Sequence, residues 1–141
     1  MRPFGRPSLI AVGTFVSGFG GVVVLASLSV AALGHGSYEI SGQPVTPGEF
    51  VRRAGPFLGM LGVILLVLAR GFHRADPRSR WLALAFWLYI GIAALWVANG
   101  NAADIWMTLG YIAFFLGISG WYFFRKRNVV EYFTEVGDTD A

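Results

Sequence analysis

From Leu9 to Leu33 the chain runs for 25 residues without a charged side chain. At about 1.5 Å of rise per residue, a helix of that length exceeds the roughly 30 Å of a bilayer's hydrocarbon core. A water-soluble domain of this size has no interior that would hide such a run, so this stretch by itself points to a membrane. The composition agrees. Of 141 residues, 55% are hydrophobic and only 13% charged, against about 45–50% and about 25% in soluble domains. The apolar region also far exceeds the roughly 7–15 residues of a secretory signal, so the small-residue triplet Ser29 to Ala31 reads as part of an anchor rather than a cleavage site.

Three further apolar runs follow. Ala54 to Ala69 is bounded by Arg53 and Arg70, Trp81 to Ala103 is uncharged, and Ile105 to Phe124 is likewise uncharged. The second is short for a crossing, but "TPGE" at Thr46 to Glu49 supplies a helix start ahead of it. Thr46 caps, Pro47 takes the first helical position, and Glu49 closes a capping box. The helix then begins at Pro47, and Pro56 is expected to kink it near the interface. The spacing predicts one integral membrane domain over residues 1–141, an all-α antiparallel four-helix bundle. Its spans cover about 9–33, 47–72, 81–99 and 105–124, and residues 125–141 form a tail. The first loop, with "SYEISGQPVT", alternates around a Ser-Gly turn and reads as a small external β-hairpin.

Orientation follows from the basic residues. Arg2, Arg6, Arg70, Arg74, Arg78, Arg80, Arg125, Lys126 and Arg127 fall on one side of this topology, and only Arg52 and Arg53 on the other. Positive residues stay in the cytoplasm, which places the chain in the cell's inner membrane with both termini inside. Trp81, Trp121 and Tyr122 then mark the inner interface, Trp96 and Trp106 the outer one. Arg70, Arg74, Arg78, Arg80, Arg125, Lys126 and Arg127 are candidates for contact with anionic lipid headgroups. Short basic clusters between apolar runs argue against nucleic acid as a partner.

Helices in lipid associate through close backbone approach, with small residues at four-residue spacing as the mark. Gly13, Ser17 and Gly21 form such a stripe on the first span, Gly55 and Gly59 on the second, Ala94 and Ala98 on the third, and Ala113 and Gly117 on the fourth. They serve packing within the chain or, on the Gly-rich first span, a homodimer face.

Chemistry is sparse. The absence of cysteine excludes disulfides, thiolate metal sites and cysteine nucleophiles. No ionisable side chain lies at mid-depth, where a proton relay would need one. Small four-span drug exporters resemble the chain in size but depend on a glutamate in the first helix, which offers only Thr14, Ser17, Ser27 and Ser29. His35 and His73 fall on opposite sides of the bilayer, so no cofactor or metal pair is expected from them. The serines lack a base for hydrolysis, and "GFGG" lies inside an apolar helix rather than in a phosphate loop. The mid-depth Trp87 and Tyr89 suit packing or a hydrophobic-ligand pocket. The chain reads as a non-enzyme whose partners are the bilayer and either a membrane protein or a second copy of itself.

The ending "GWYFFRKRNVVEYFTEV" holds more than a stop signal. Val129, Tyr132, Phe133 and Val136 share one face of an amphipathic helix, with Glu131 and Glu135 on another. That apolar face is expected to dock on the bundle's own base or on a partner. Together "RPSLIAVGTFVSGFGG", "RSRWLALAFW" and "FFRKRNVVEYF" resemble a loose group of small four-helix membrane proteins of bacteria and archaea. The resemblance implies a fold and a compartment, and brings no catalytic residues with it.

Overall fold

A computed structural model describes residues 7–40, 42–97 and 102–135. Among them the elements run α1 (Ser8–Ala32), β1 (Tyr38–Ile40), β2 (Gln43–Val45), α2 (Pro47–His73), α3 (Arg78–Val97), α4 (Ala102–Arg125) and α5 (Arg127–Glu135). Helices α1 and α2 and the Ile105–Arg125 stretch of α4 are each long and apolar enough to cross a membrane. The remaining expected span, α3, has 20 residues. It starts three residues before Trp81 because Asp76 organises the turn ahead of it. The Asp76 carboxylate accepts the Arg78 N–H at 2.8 Å, and its carbonyl accepts the Ser79 hydroxyl at 2.6 Å.

Between α1 and α2 stands the expected hairpin. β1 and β2 pair antiparallel with Tyr38 opposite Val45, and Gly42 takes the positive φ of 74° that the turn asks of a glycine. The Tyr38 ring stacks on Phe50 at 4.4 Å, which ties the hairpin to the first turn of α2. Thr46 caps α2 as predicted, accepting the Glu49 N–H at 3.2 Å. The reciprocal half of the box is diverted, because the Glu49 carboxylate pairs with Arg53 at 2.7 Å instead. An exposed pair at this spacing is worth about 0.3–0.5 kcal/mol.

The helices pack in series. α1 lies antiparallel along α2, α2 meets α3, and α3 lies antiparallel along α4. Among the described residues no comparable seam joins α1 to α4, so the compact bundle expected from the small-residue spacing is an open row rather than a closed ring.

The tightest seam is that of α1 with α2. A Cβ placed on Gly21 would lie 2.9 Å from Leu66 Cγ and 3.0 Å from the Gly62 carbonyl oxygen, and one on Gly62 would lie 2.7 Å from Leu25 Cγ. Gly55 and Gly59 both receive Leu28, and Gly13 receives the Phe72 ring. Ser17 is buried in the same seam. Within the chain the stripe on α1 is thus met by α2.

On α4 the outcome differs. Ala113 is exposed, and among the described residues nothing lies within 4 Å of a Cβ built on Gly117, so α4 does not use this pair in its contact with α3. The α3–α4 contact uses another register, with Gly91 against Ile112 and Trp87 stacked on Phe115 at 4.4 Å. Tyr89 fastens α3 to α2 by donating its hydroxyl to the Phe57 carbonyl at 2.7 Å. The Ala94 side chain and Ala98 lie outside what the structure describes.

A bulky side chain at a seam glycine has to push one helix aside, and overpacking of this kind costs about 1–3 kcal/mol. Gly21→Leu is expected to lower the melting temperature of the detergent-purified protein, followed by circular dichroism. Gly110→Leu, where a Cβ meets nothing within 4 Å, is expected to leave it unchanged.

Candidate functional site

Buried apolar side chains are concentrated at one end of the row. Ile10, Leu68, Phe72, Ala75, Ala83, Val129, Tyr132 and Phe133 form a single cluster, with Leu82, Tyr122 and Phe123 packed against it. These residues come from the start of α1, the end of α2 and the turn beyond it, the start of α3, the end of α4, and α5. This end is the base of the row. Away from it the helices display apolar surface, with Phe15 71% and Trp106 74% exposed.

α5 closes the base. After Arg125 the chain turns at Lys126, whose carbonyl accepts the N–H groups of Val129 and Val130 at 3.0 Å each. The turn brings the apolar face of α5 under the other helices. Val129 and Phe133 are among the most deeply buried side chains, and Tyr132 is buried beside them. The rings of Phe72, Phe123 and Phe133 form a triangle, with centroids 5.4 Å, 6.3 Å and 6.4 Å apart. Full burial of a side chain of this size contributes about 1.5–3 kcal/mol.

A hydrogen bond fixes the register. The last carbonyls of a helix lose their regular N–H partner one turn on; that of Phe72 accepts the Ala75 N–H at 3.5 Å and, as a second and shorter bond, the buried Tyr132 hydroxyl at 3.1 Å. Ala75 completes the exit from α2 in the left-handed region, at φ 54°. That conformation costs a non-glycine residue about 1 kcal/mol. The Asp76 N–H reaches back to the Gly71 carbonyl at 2.9 Å, and the Ala75 methyl is fully buried in the cluster.

The seven basic candidates all stand around this base, but in two states. Arg70, Arg74, Arg78 and Arg125 are exposed. Three others are engaged by the protein. The Arg80 guanidinium lies 5.3 Å from the Phe124 ring and 5.4 Å from that of Phe133, Lys126 Nζ lies 5.1 Å from the Tyr122 ring, and Arg127 pairs with Glu131 at 2.7 Å. Arg80 and Lys126 are thereby held over aromatic faces, whereas the Arg127 side chain, paired with Glu131, stays 93% exposed.

Between α2 and α3, near the base, an open cleft of about 460 Å³ is lined by Val67, Gly71, Trp81, Leu82 and Ala85 together with Asp76, Arg78 and the buried Ser79. Its lining is mostly apolar.

Val129, Tyr132 and Phe133, read from the sequence as a face for the bundle's own base or for a partner, are used up within the chain. A partner would have to displace the α5 face to reach them. Val136, Arg2 and Arg6 lie outside the described residues, as does the Trp96 side chain. Trp87 stacks on Phe115 and Tyr89 bonds to the Phe57 carbonyl, so both take part in packing between helices. Sequence reasoning missed Ala75, whose left-handed turn normally signals itself by glycine. It also missed the Gly71–Ser79 crossing, where a Cβ on Gly71 would lie 2.6 Å from Ser79 Cβ. Among the described residues no three of His, Asp and Glu converge on a metal-sized site. Comparison with family models, with curated proteins and with solved structures finds no match for this chain, so the base is interpreted from its own residues.

Two substitutions grade the base. Tyr132→Phe removes one hydrogen bond at a cost of about 1 kcal/mol. Phe133→Ala leaves a cavity among the rings and costs about 3–5 kcal/mol. The expected order of thermal stability is wild type, then Tyr132→Phe, then Phe133→Ala, with Thr134→Ala on the exposed side of α5 close to wild type.

Proposed function

We propose that this chain is a non-catalytic integral protein of the inner membrane, crossing four times with both termini in the cytoplasm, and serving as an accessory or scaffolding subunit of a larger membrane complex. Three helices have the length and apolarity of membrane spans. At about 1.5 Å per residue, the 20 residues of α3 reach the roughly 30 Å of the hydrocarbon core. The antiparallel order then sets the basic base on the cytoplasmic side, where the positive-inside rule puts it.

The observation that carries the subunit reading is the unequal use of small residues. In lipid they make close helix contacts, because lipid tails compete with any apolar side chain. Those of α1 and α2 are consumed by each other. On α4, a Cβ at Gly110 or Gly117 meets nothing within 4 Å, Ala113 is exposed, and only 6% of the apolar window is buried. An open row of helices with an unused contact face at its end suits a protein completed by a neighbour.

A second reading, an oligomeric binding or permeation protein for a hydrophobic ligand or lipid, is favoured by the cleft between α2 and α3. Purification in mild detergent separates the two. The subunit reading expects foreign membrane subunits at fixed stoichiometry, lost on Gly117→Leu while the melting temperature holds. A pure homo-oligomer carrying lipid or ligand supports the second reading instead. For the topology, cytoplasmic reporters fused after Ala141 are expected to be active; activity only of a periplasmic phosphatase would contradict it.

A further inference from the structure

We infer that the cleft between α2 and α3 is a site for one anionic phospholipid, with an acyl chain between the helices and its phosphate at Arg78. The inference rests on the proposed reading of the base as the cytoplasmic headgroup side. The two helices are fastened at two places, where Ser79 crosses Gly71 and where Tyr89 bonds to the Phe57 carbonyl. The cleft opens near the first of these, over the apolar walls of Val67, Leu82 and Ala85. Its outer edges, Val67 and Trp81, are 51% and 65% exposed, so the cleft is open sideways along its length, as entry from a surrounding leaflet requires.

Arginines supply the charge complement. Arg78 lines the cleft and is exposed, and Arg70 and Arg74 stand exposed at the end of α2. Asp76 is the one acid among the lining residues, and its carboxylate already accepts the Arg78 N–H at 2.8 Å. Arg80, the remaining arginine of the turn, lies over the Phe124 and Phe133 rings. A cation of this kind forms short charge-assisted bonds to phosphate oxygens, and anionic lipids concentrate in the cytoplasmic leaflet. An apolar slot with Arg78 in its lining and Arg70 and Arg74 exposed at the adjoining end of α2 fits an anionic lipid better than a neutral lipid, which gains nothing from the arginines, or a free anion, which gains nothing from the slot.

The test is native mass spectrometry of the full chain released from nanodiscs of dioleoyl phosphatidylglycerol or dioleoyl phosphatidylcholine. One phosphatidylglycerol should stay bound under activation that strips phosphatidylcholine. Arg78→Gln should lower that retention about tenfold, as the loss of a hydrogen bond to a charged group predicts. Ala85→Phe, which fills the cleft from an exposed position, should abolish it with helical content unchanged. Arg78→Gln alone decides the matter should Ala85→Phe fold poorly, since Arg78 is exposed and its replacement removes no buried side chain. Equal retention of the two lipids, or retention indifferent to Arg78→Gln, overturns the site while leaving the membrane reading intact. Stabilisation by inorganic phosphate equal to that by phosphatidylglycerol overturns the lipid in favour of a free anion. Failure to enter nanodiscs of either lipid overturns the membrane reading and the site with it.

Discussion

Phe72 receives contacts from three other helices. Its ring lies against Gly13 of α1, against Phe123 of α4 and Phe133 of α5, and its carbonyl takes the Tyr132 hydroxyl. One residue near the end of α2 thus joins the first helix, the last long helix and the terminal short one. Without α5 these rings would face water and the Phe72 carbonyl would lose its buried donor. The short terminal helix is therefore a structural closure, and the open row of helices has its firmest junction where the chain is most basic.

The concentration of the core at one end has a physical reason in the proposed setting. Apolar surface gains from burial only when the alternative is water. Along the length of the helices the alternative is hydrocarbon, and contacts there rest on fit, as between Gly21, Gly62 and their leucines. At the base the chain meets water again, and a conventional cluster of buried rings and aliphatic side chains becomes worthwhile. The same end holds arginines and a lysine, two of them, Arg80 and Lys126, laid over aromatic faces, so charge and core share one layer. The rest of the surface, apolar and exposed, makes little sense for a monomer in water.

Much of this was legible in the residues, for identifiable reasons. Long uncharged runs, the Thr46 cap with Pro47, and the i, i+3, i+4 spacing of Val129, Tyr132 and Phe133 are local signals, and the local elements followed them. The hairpin was legible from its alternation around Gly42. Pairing between helices was less so. A small residue marks a face that is able to make close contact, without saying whether anything meets it; Gly21 is met by Leu66, whereas Gly117 is met by nothing among the described residues. Gly62 and Gly91, which do make contact, carry no stronger signal than their neighbours. The diversion of Glu49 to Arg53 and the left-handed turn at Ala75 depend on partners brought by the fold, and no spacing announces either.

The central claim is that α5 is folded into the base on the cytoplasmic side of a membrane. Because the chain lacks cysteine, single cysteines report on it directly. Thr134→Cys and Tyr132→Cys variants, in sealed membrane vesicles of known sidedness, are treated with a membrane-impermeant maleimide. The account predicts fast labelling at 134 in inverted vesicles, slow labelling at 132 in the same vesicles, and labelling of neither in right-side-out vesicles. Equal labelling at the two positions would contradict the packing of α5, and labelling from the outside would contradict its place in the cytoplasm.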